Sequence, residues 1–499
     1  MRHIVQIAPL AALPAHASFF DYAWEGDVVP SIGMIVEIPF RSGKSYGLVI
    51  SISTFSKFKL KTISPTQAYH LLSPTEVTWL SYFAKRTKLN IGLLAMHALP
   101  PLSKRTIGTL TRAFSKKEQK RAGKLQYLWY TQQNSIEKAL EQLTSDGSKP
   151  AMIVAASQLD AERWTLALQA KMPSRIVHHF VAESAPKRRA IWLDWVLSGD
   201  APVIVGTQLP TWLPSRADAN IILVEPTHSA HIQREGLTYS TRDVVEYRRN
   251  HFGEHVFIIA HSPATPDLDR ITSLPALAHW PVMLDRTTED PKLRQSFISP
   301  SLEHALHSAS RVLILVTHLR EATHYICKDC GTLFRSAELS DSALCKKCGG
   351  ARFSKIGFGA QTAIDELKAA EIITADEEFV MLDAEKFKTH TTDERDPKIT
   401  IATAPLFDRL PLNSFDIILD LSTDFELLHP QYTTEECLWQ RLRAMSVRLS
   451  SAWSGAWLTQ TRVPNLLGWR ARDFEGYLSW WLSEKNLRQR FKQPPFSED

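Results

Sequence analysis

Ala151-Met-Ile-Val-Ala155 is the stretch on which the fold turns. It is apolar without a break, whereas a strand with one wet face would alternate, so both of its faces must be covered. Runs of the same kind follow at Pro202–Val205, Ile221–Val224 and Val256–Ala260, separated by amphipathic helical stretches such as Leu159–Lys171 and Ala185–Leu197. This rhythm describes a parallel sheet clad in helices. A second series, Val312–Val316, Phe379–Leu382, Ile399–Ala402 and Phe415–Leu419, repeats it, with long helical stretches at Thr433–Leu449 and Arg470–Phe491. The chain reads as α/β and multidomain, with two successive sheet units of similar size.

Ahead of these units the pattern differs. Short β-type runs at Ile4–Ile7, Met34–Phe40 and Tyr46–Ser53 are broken by Gly33, Gly43 and Gly47. Thr75–Leu99 then carries helical periodicity and stops at Pro100-Pro101. Residues 1–103 are therefore expected to form a small β-rich domain with a helical tail. Between Lys104 and Lys124 stand eight basic residues, Lys104, Arg105, Arg112, Lys116, Lys117, Lys120, Arg121 and Lys124, against the one acid Glu118. That stretch suits either a phosphate backbone or a solvated linker.

Four of the five cysteines lie in one window, Cys327-Lys-Asp-Cys330 and Cys345-Lys-Lys-Cys348. Each CxxC turn offers two thiolates to one ion, and two such knuckles 14 residues apart read as a ribbon around a single structural Zn2+. A disulfide pair or reduced core thiols are the other readings. Lys328, Lys346 and Lys347 speak against a buried thiol cluster. Gly331 and Gly349, each following a knuckle, suit a turn of positive φ.

Composition narrows the class. A chain of 499 residues exceeds one ordinary core, and about three domains is the natural expectation. No apolar run approaches the roughly 18 residues of a membrane span, and the N-terminus lacks a signal-peptide core. With Cys437 standing outside the window of four, a reducing cytoplasm is expected. The net charge of +5 permits nucleic-acid binding without requiring it.

Collinear segments now carry a family likeness. Phe20-Asp21-Tyr22, Gly33-x-x-Val36-x-Ile38-Pro39-Phe40, Gly47-Leu48-Val49 and Leu93-x5-Leu99-Pro100-Pro101 resemble the 3′-end DNA-binding domain of the replication-restart helicase family PriA. Ile204-Val205-Gly206-Thr207 with Pro214, Glu235-Gly236-x-x-Tyr239-x-x-Arg242-Asp243 and Ala264-Thr265-Pro266 are similar to segments of its first helicase lobe. Gly357–Thr362 looks like the step into the second lobe, and Gln493-Pro494-Pro495-Phe496 resembles the opening of the family's last domain. The resemblance implies residues 1–103 as the DNA-binding domain, 104–124 as a connector, and two RecA-like lobes at 125–285 and 286–499. The zinc ribbon, at about 323–353, is inserted in the second. It also implies a pocket for a 3′-terminal nucleotide at Phe20, Asp21, Tyr22 and Lys61, and single-strand contacts at Tyr239 and Arg242. In such a pocket an aromatic face stacks a base, a carboxylate accepts the 3′-hydroxyl hydrogen, and a lysine offsets phosphate charge.

The departures bear on the chemistry. A P-loop frees backbone N–H groups with glycines and sends a lysine to the phosphates. The sequence has no such motif, because Gly43-Lys44-Ser45 has Ile38 where the first glycine belongs, and the stretch Tyr130–Lys138 has no glycine. Where the family places its Mg2+-binding acids stands Val224-Glu225-Pro226-Thr227, and a hydrocarbon cannot ligate Mg2+. The family's glycine- and arginine-rich second-lobe motif falls near Ala444–Ser451 and keeps only Arg448. The family's winged-helix domain and second zinc site have no counterpart, and this sequence ends at Asp499, where the last domain would begin.

The expectation is a replication-restart protein of the cytoplasm and nucleoid, without catalytic residues. It would bind forks bearing a 3′ end, recruit other primosome or replication proteins, and touch no membrane. An active 3′→5′ helicase and a protein-only scaffold are the alternatives. His228 and His231, three apart, read as ordinary histidines rather than metal ligands.

Overall fold

The computed structural model describes residues 3–14, 18–25, 28–65, 67–102, 107, 122–130, 137–139, 141, 143, 149–197, 200–216, 219–233, 239–287, 296–316, 324–335, 344–356, 359–375, 378–382, 397–427, 434–461 and 474–492. They divide into two compact units. The first holds Met1–Trp129 and Asn134–Ala260, and the second holds Tyr130–Gln133 and His261–Asp499.

In the first unit, strands β1 (His3–Pro9), β2 (Phe20–Trp24), β3 (Met34–Phe40), β4 (Gly43–Ser53), β5 (Lys61–Ile63) and β6 (Tyr69–His70) form one sheet in the order β5-β2-β1-β4-β3-β6. Its pairings are antiparallel except for β2 with β5. Alternation gives the sheet two apolar faces. Val5, Ile7, Tyr22, Trp24, Met34, Val36, Ile38, Val49 and Ile63 form one cluster, while Ala8, Ile35 and Leu48 belong to another.

The expected long helix over Thr75–Leu99 is two helices, Pro74–Thr87 and Ile91–Ala98. Lys88 adopts φ 54° and ends the first; the Asn90 side chain accepts from the Leu93 amide and starts the second. A reciprocal capping box joins Ser73 and Glu76 at the start of the first helix. Gly92 is required, since a Cβ there would stand 1.9 Å from the Pro9 carbonyl oxygen.

The second sheet of this unit contains β7 (Leu125–Trp129), β8 (Ala151–Val154), β9 (Val177–Phe180), β10 (Val203–Gly206) and β11 (Asn220–Val224). After the short hairpin of β12 (Ile232–Gln233) and β13 (Tyr239–Ser240), β14 (His255–Ala260) completes it. The order is β7-β14-β11-β8-β10-β9, and every pairing is parallel. Each unbroken apolar run seen in the sequence is a strand covered on both faces.

The β-rich domain and this first lobe share one apolar core. Trp79 is fully buried and stacks on Trp212 at 5.2 Å between centroids. Trp192 Nε1 donates to the Ala98 carbonyl at 3.0 Å. The buried Glu76 carboxylate accepts from the Ser215 amide at 2.6 Å and from its hydroxyl at 3.0 Å. Arg248, also fully buried, pairs with Glu254 at 2.6 Å and lies over the Trp79 ring.

In the second unit, β15 (Val282–Asp285), β16 (Val312–Val316), β20 (Phe379–Leu382), β21 (Ile399–Thr403), β22 (Ile417–Asp420) and β23 (Ala456–Thr461) form another parallel sheet, ordered β15-β23-β22-β16-β21-β20. Between β16 and the helix Ala360–Ala369 lies a three-stranded sheet of β17 (His324–Cys327), β18 (Leu333–Arg335) and β19 (Phe353–Ile356). The two helix-clad parallel sheets are the two successive α/β units expected. One boundary differs: the first lobe is expected to run to residue 285, yet Val282–Asp285 pairs with β23, and the first unit ends at Ala260. Val282 and Met283 are exposed on this edge strand, so its sequence gave no sign of which sheet it would join. Of the basic connector, only Ile107 and residues 122–124 fall within the described residues.

Candidate nucleic-acid interface and metal centre

The proposed 3′-end pocket lies on β2 and its neighbours. Phe20 is exposed and its ring lies 5.9 Å from that of Phe40, with the Arg41 guanidinium 5.4 Å from the same Phe40 ring. Asp21 is held on both oxygens: Gln6 Nε2 donates to Oδ1 at 3.2 Å and Ser56 Oγ donates to Oδ2 at 2.6 Å. Ser51 in turn donates to Gln6 Oε1 at 2.8 Å, which fixes the amide's orientation. Lys61 opens β5 beside Tyr22 and is exposed.

Tyr22 does not share this surface. It packs in the apolar cluster with Val5, Ile7 and Trp24, where it is buried and its hydroxyl donates to the Pro39 carbonyl at 3.2 Å. Burial raises its pKa, keeping the hydroxyl protonated. Phe20 and Lys61 are exposed on β2 and β5, Asp21 lies on the other face of β2 with Gln6 and Ser51, and Tyr22 belongs to the apolar cluster. Lys44, part of the P-loop decoy, pairs with Glu37 across the β3–β4 hairpin at 2.6 Å.

Tyr239 and Arg242 are placed otherwise than as open strand contacts. The Tyr239 hydroxyl accepts from Trp212 Nε1 at 3.0 Å and donates to Gln208 at 3.2 Å, and desolvation pushes its pKa up to about 12. Arg242 is buried at the start of the helix Thr241–Phe252. Tyr239 is half-buried and Arg242 buried, which fits packing at a helix start better than the strand contact that the resemblance implied. Glu235 and Gly236 lie outside the described residues.

At the carboxyl end of β11, where open parallel sheets bind ligands, Val224 is buried and Glu225 takes φ 51°. His231, also buried, holds the Val224 carbonyl through Nε2 at 2.8 Å, and its Nδ1 has no hydrogen-bond partner. Desolvation lowers its pKa to about 4, so the ring is neutral near pH 7. His228 caps the following turn, accepting from the Ala230 amide at 3.1 Å. Neither histidine faces a metal cluster among the described residues. Of the glycine-free stretch upstream of β8, residues 131–136 lie outside the described residues.

The four ribbon thiols converge. Cys327, Cys330, Cys345 and Cys348 place their Sγ atoms all within 4.8 Å of one another. The pairs Cys330–Cys345 and Cys327–Cys348 stand 3.5 and 3.6 Å apart. A disulfide would bring sulfurs to about 2 Å, whereas thiolates on one tetrahedral ion stand about 3.8 Å apart. The donor set therefore fits a soft metal ion. Each knuckle closes through an amide, Gly331 to the Cys327 carbonyl at 2.9 Å and Gly349 to the Cys345 carbonyl at 2.8 Å. Both glycines have φ +71°. Hydrogen bonds with Thr332 lower the Cys330 pKa, while the neighbouring thiols raise that of Cys348. Arg352 pairs with Asp329 and ties the first knuckle to β19.

Residues 9–100 match the family model of the PriA 3'DNA-binding domain (3'BD). Among solved structures, the chain is similar to S. cerevisiae Dbp5 bound to RNA and ADP BeF3, at 12% identity over 84% of this chain and 97% of that one, with a TM-score of 0.38. It is also similar to the NS3-like helicase from Alongshan virus, at 12% identity over 68% of this chain and 73% of that one, with a TM-score of 0.36. The likeness read from Phe20-Asp21-Tyr22 onward stands over residues 9–100, the stretch that matches the PriA 3′ DNA-binding domain.

Proposed function

We propose that this protein recognises stalled or abandoned replication forks by their 3′ end and works without hydrolysing ATP. The match of residues 9–100 to the 3′DNA-binding domain carries the first half of the reading. Phe20, Asp21 and Lys61 are available there to stack a terminal base, accept a hydroxyl hydrogen and offset a phosphate. The state of β11 supports the second half. Valine occupies the position where a magnesium-binding acid belongs, and a neutral buried histidine holds its carbonyl. Without a P-loop in the sequence, no set of backbone amides is provided for a triphosphate.

In this reading the lobes serve as a body that grips DNA without moving along it. The cysteine cluster takes Zn2+ as a structural ion, with all four positions filled by protein thiolates. Binding is carried by phosphate contacts and fork shape, so it falls steeply with salt and shows little base preference. Recruitment of further primosome or replication proteins follows as the output of such binding.

A titration of forked DNA tests the reading. The nascent strand at the junction ends in a 3′-hydroxyl, in a 3′-phosphate, or is absent, and ATP turnover is measured in the same tube. Preference for the 3′-hydroxyl fork without DNA-stimulated ATPase activity supports it. Turnover that disappears in Glu225→Gln returns the protein to the active helicases. Indifference to the fork leaves a scaffold.

A further inference from the structure

The β4–β5 loop carries two exposed phenylalanines that the terminal pocket does not use. Phe55 and Phe58 are 77% and 63% exposed, the largest values among the exposed phenylalanines of the β-rich domain. Exposing two aromatic rings at a loop tip loses the benefit of burying them, so a ligand that covers them is expected. Chance mobility does not account for their placement. Ser53 Oγ donates to the Phe55 carbonyl at 3.0 Å and accepts from the Phe55 amide at 3.1 Å. Ser56 Oγ accepts from the Phe58 amide at 3.2 Å while donating to Asp21 at 2.6 Å. One hydroxyl therefore fixes the turn between the two rings and anchors it to the pocket carboxylate.

Charge selects the occupant. The segment from Ser51 to Ile63 contains Lys57, Lys59 and Lys61 and no acid. Lys57 Nζ lies 5.3 Å from the Phe58 ring centroid, so cation and aromatic face are presented side by side. Alternating aromatic and basic side chains are what a single strand needs, because every base has a face to stack and every nucleotide a phosphate.

We propose that Phe55 and Phe58, with Lys57 and Lys59, form a stacking shelf for the unpaired nucleotides immediately 5′ of the terminal one. The inference rests on the 3′-end reading and deepens it: the domain takes a short frayed strand rather than a single end nucleotide. Ser56 couples the two parts, since it holds both the shelf and Asp21.

The test uses the full-length protein and 5′-fluorescein oligodeoxythymidylates of increasing length, each ending in a 3′-hydroxyl or a 3′-phosphate, followed by fluorescence anisotropy. Wild type is expected to gain affinity with each of the first few nucleotides and to prefer the 3′-hydroxyl. Phe55→Ala/Phe58→Ala is expected to bind the longer strands about tenfold more weakly and to lose the length gain, keeping the hydroxyl preference. Phe55→Trp/Phe58→Tyr restores the gain, which separates stacking from loop collapse. Lys57→Ala/Lys59→Ala lowers the slope of log affinity against log salt by about 1.4. If the double alanine variant keeps the full length gain, the shelf is wrong, and a protein partner becomes the occupant of the two rings. If wild type shows no 3′-hydroxyl preference while the length gain still depends on the rings, the shelf stands and the 3′-end reading falls.

Discussion

The first unit and the cysteine ribbon are held together by opposite means. In the first unit the β-rich domain and the parallel sheet share an apolar core in which Trp79, Trp192, Trp195 and Trp212 are all buried. Among the described residues of the ribbon, the apolar cluster of buried residues is Cys327, Phe334 and Cys345, with Cys330 and Phe353 packed against it. Two of the three are thiols. Burial of that order cannot offset the roughly 1–2 kcal/mol per residue lost on ordering a backbone. A large core makes a domain stable in itself, while a small one makes its stability conditional on a ligand.

Metal removal should break the comparison most widely. Structural Zn2+ in small sites contributes about 10–16 kcal/mol of apparent binding free energy, and that energy is folding energy. A chelator, or Cys345→Ser, is expected to release one equivalent of zinc and to unfold the ribbon. The near-ultraviolet signal of the buried tryptophans in the first unit should persist. Metal analysis with hydrogen exchange across residues 324–356 reads both effects. Equal loss of protection in β8 and β11 would show that the two regions are not independent.

The shared core can be attacked directly. Glu254 is fully buried, and its carboxylate accepts from Arg248 Nε at 2.7 Å and Nη2 at 2.6 Å. Glu254→Ala leaves a buried guanidinium uncompensated, and a loss of about 3–5 kcal/mol is expected. Denaturant unfolding followed by tryptophan fluorescence measures it. Glu254→Gln, which keeps an acceptor, should lose less.

Acid probes the same unit more gently. His231 titrates at about 4 in the fold, below the ordinary 6.5, because burial disfavours its charged form. A group depressed in this way lets protons favour the unfolded chain. Stability is full above about pH 6.5 and declines as pH falls from there to 4, by about 3 kcal/mol at the low end. His231→Asn, which retains a donor for the Val224 carbonyl, should flatten that limb of the pH–stability profile.

Buried strands were legible in the sequence because unbroken apolar runs have one physical explanation, coverage on both faces. The ribbon was legible because four thiols at that spacing have little other use. Leu125–Trp129 went unread: Gln126 is exposed and its neighbours are half-buried, so no unbroken apolar run announces β7. The break at Lys88 was hidden too, since periodicity continues across it and only the positive φ ends the helix. For Tyr22, Tyr239 and Arg242 the family resemblance pointed to DNA, but Tyr22 packs in the apolar cluster, Tyr239 is hydrogen-bonded to Trp212, and Arg242 is buried at a helix start. Sequence order locates an aromatic or basic residue; which face it presents is decided by neighbours distant in the chain.

The smallest expected effect separates recognition from stability within the first unit. Lys61 is exposed and pairs only through the β5 backbone beside Tyr22, so Lys61→Ala should leave the melting temperature unchanged. An exposed charge contributes on the order of 1 kcal/mol to a phosphate contact, a roughly fivefold change in affinity. That loss should appear at low salt and shrink as salt screens the contact. It should also be confined to forks with a 3′ end at the junction, because a lysine serving nonspecific attraction would weaken blunt and forked DNA alike. Anisotropy titrations of both substrates at two salt concentrations decide the matter. Uniform weakening would move Lys61 out of the pocket and leave Phe20 and Asp21 to define it.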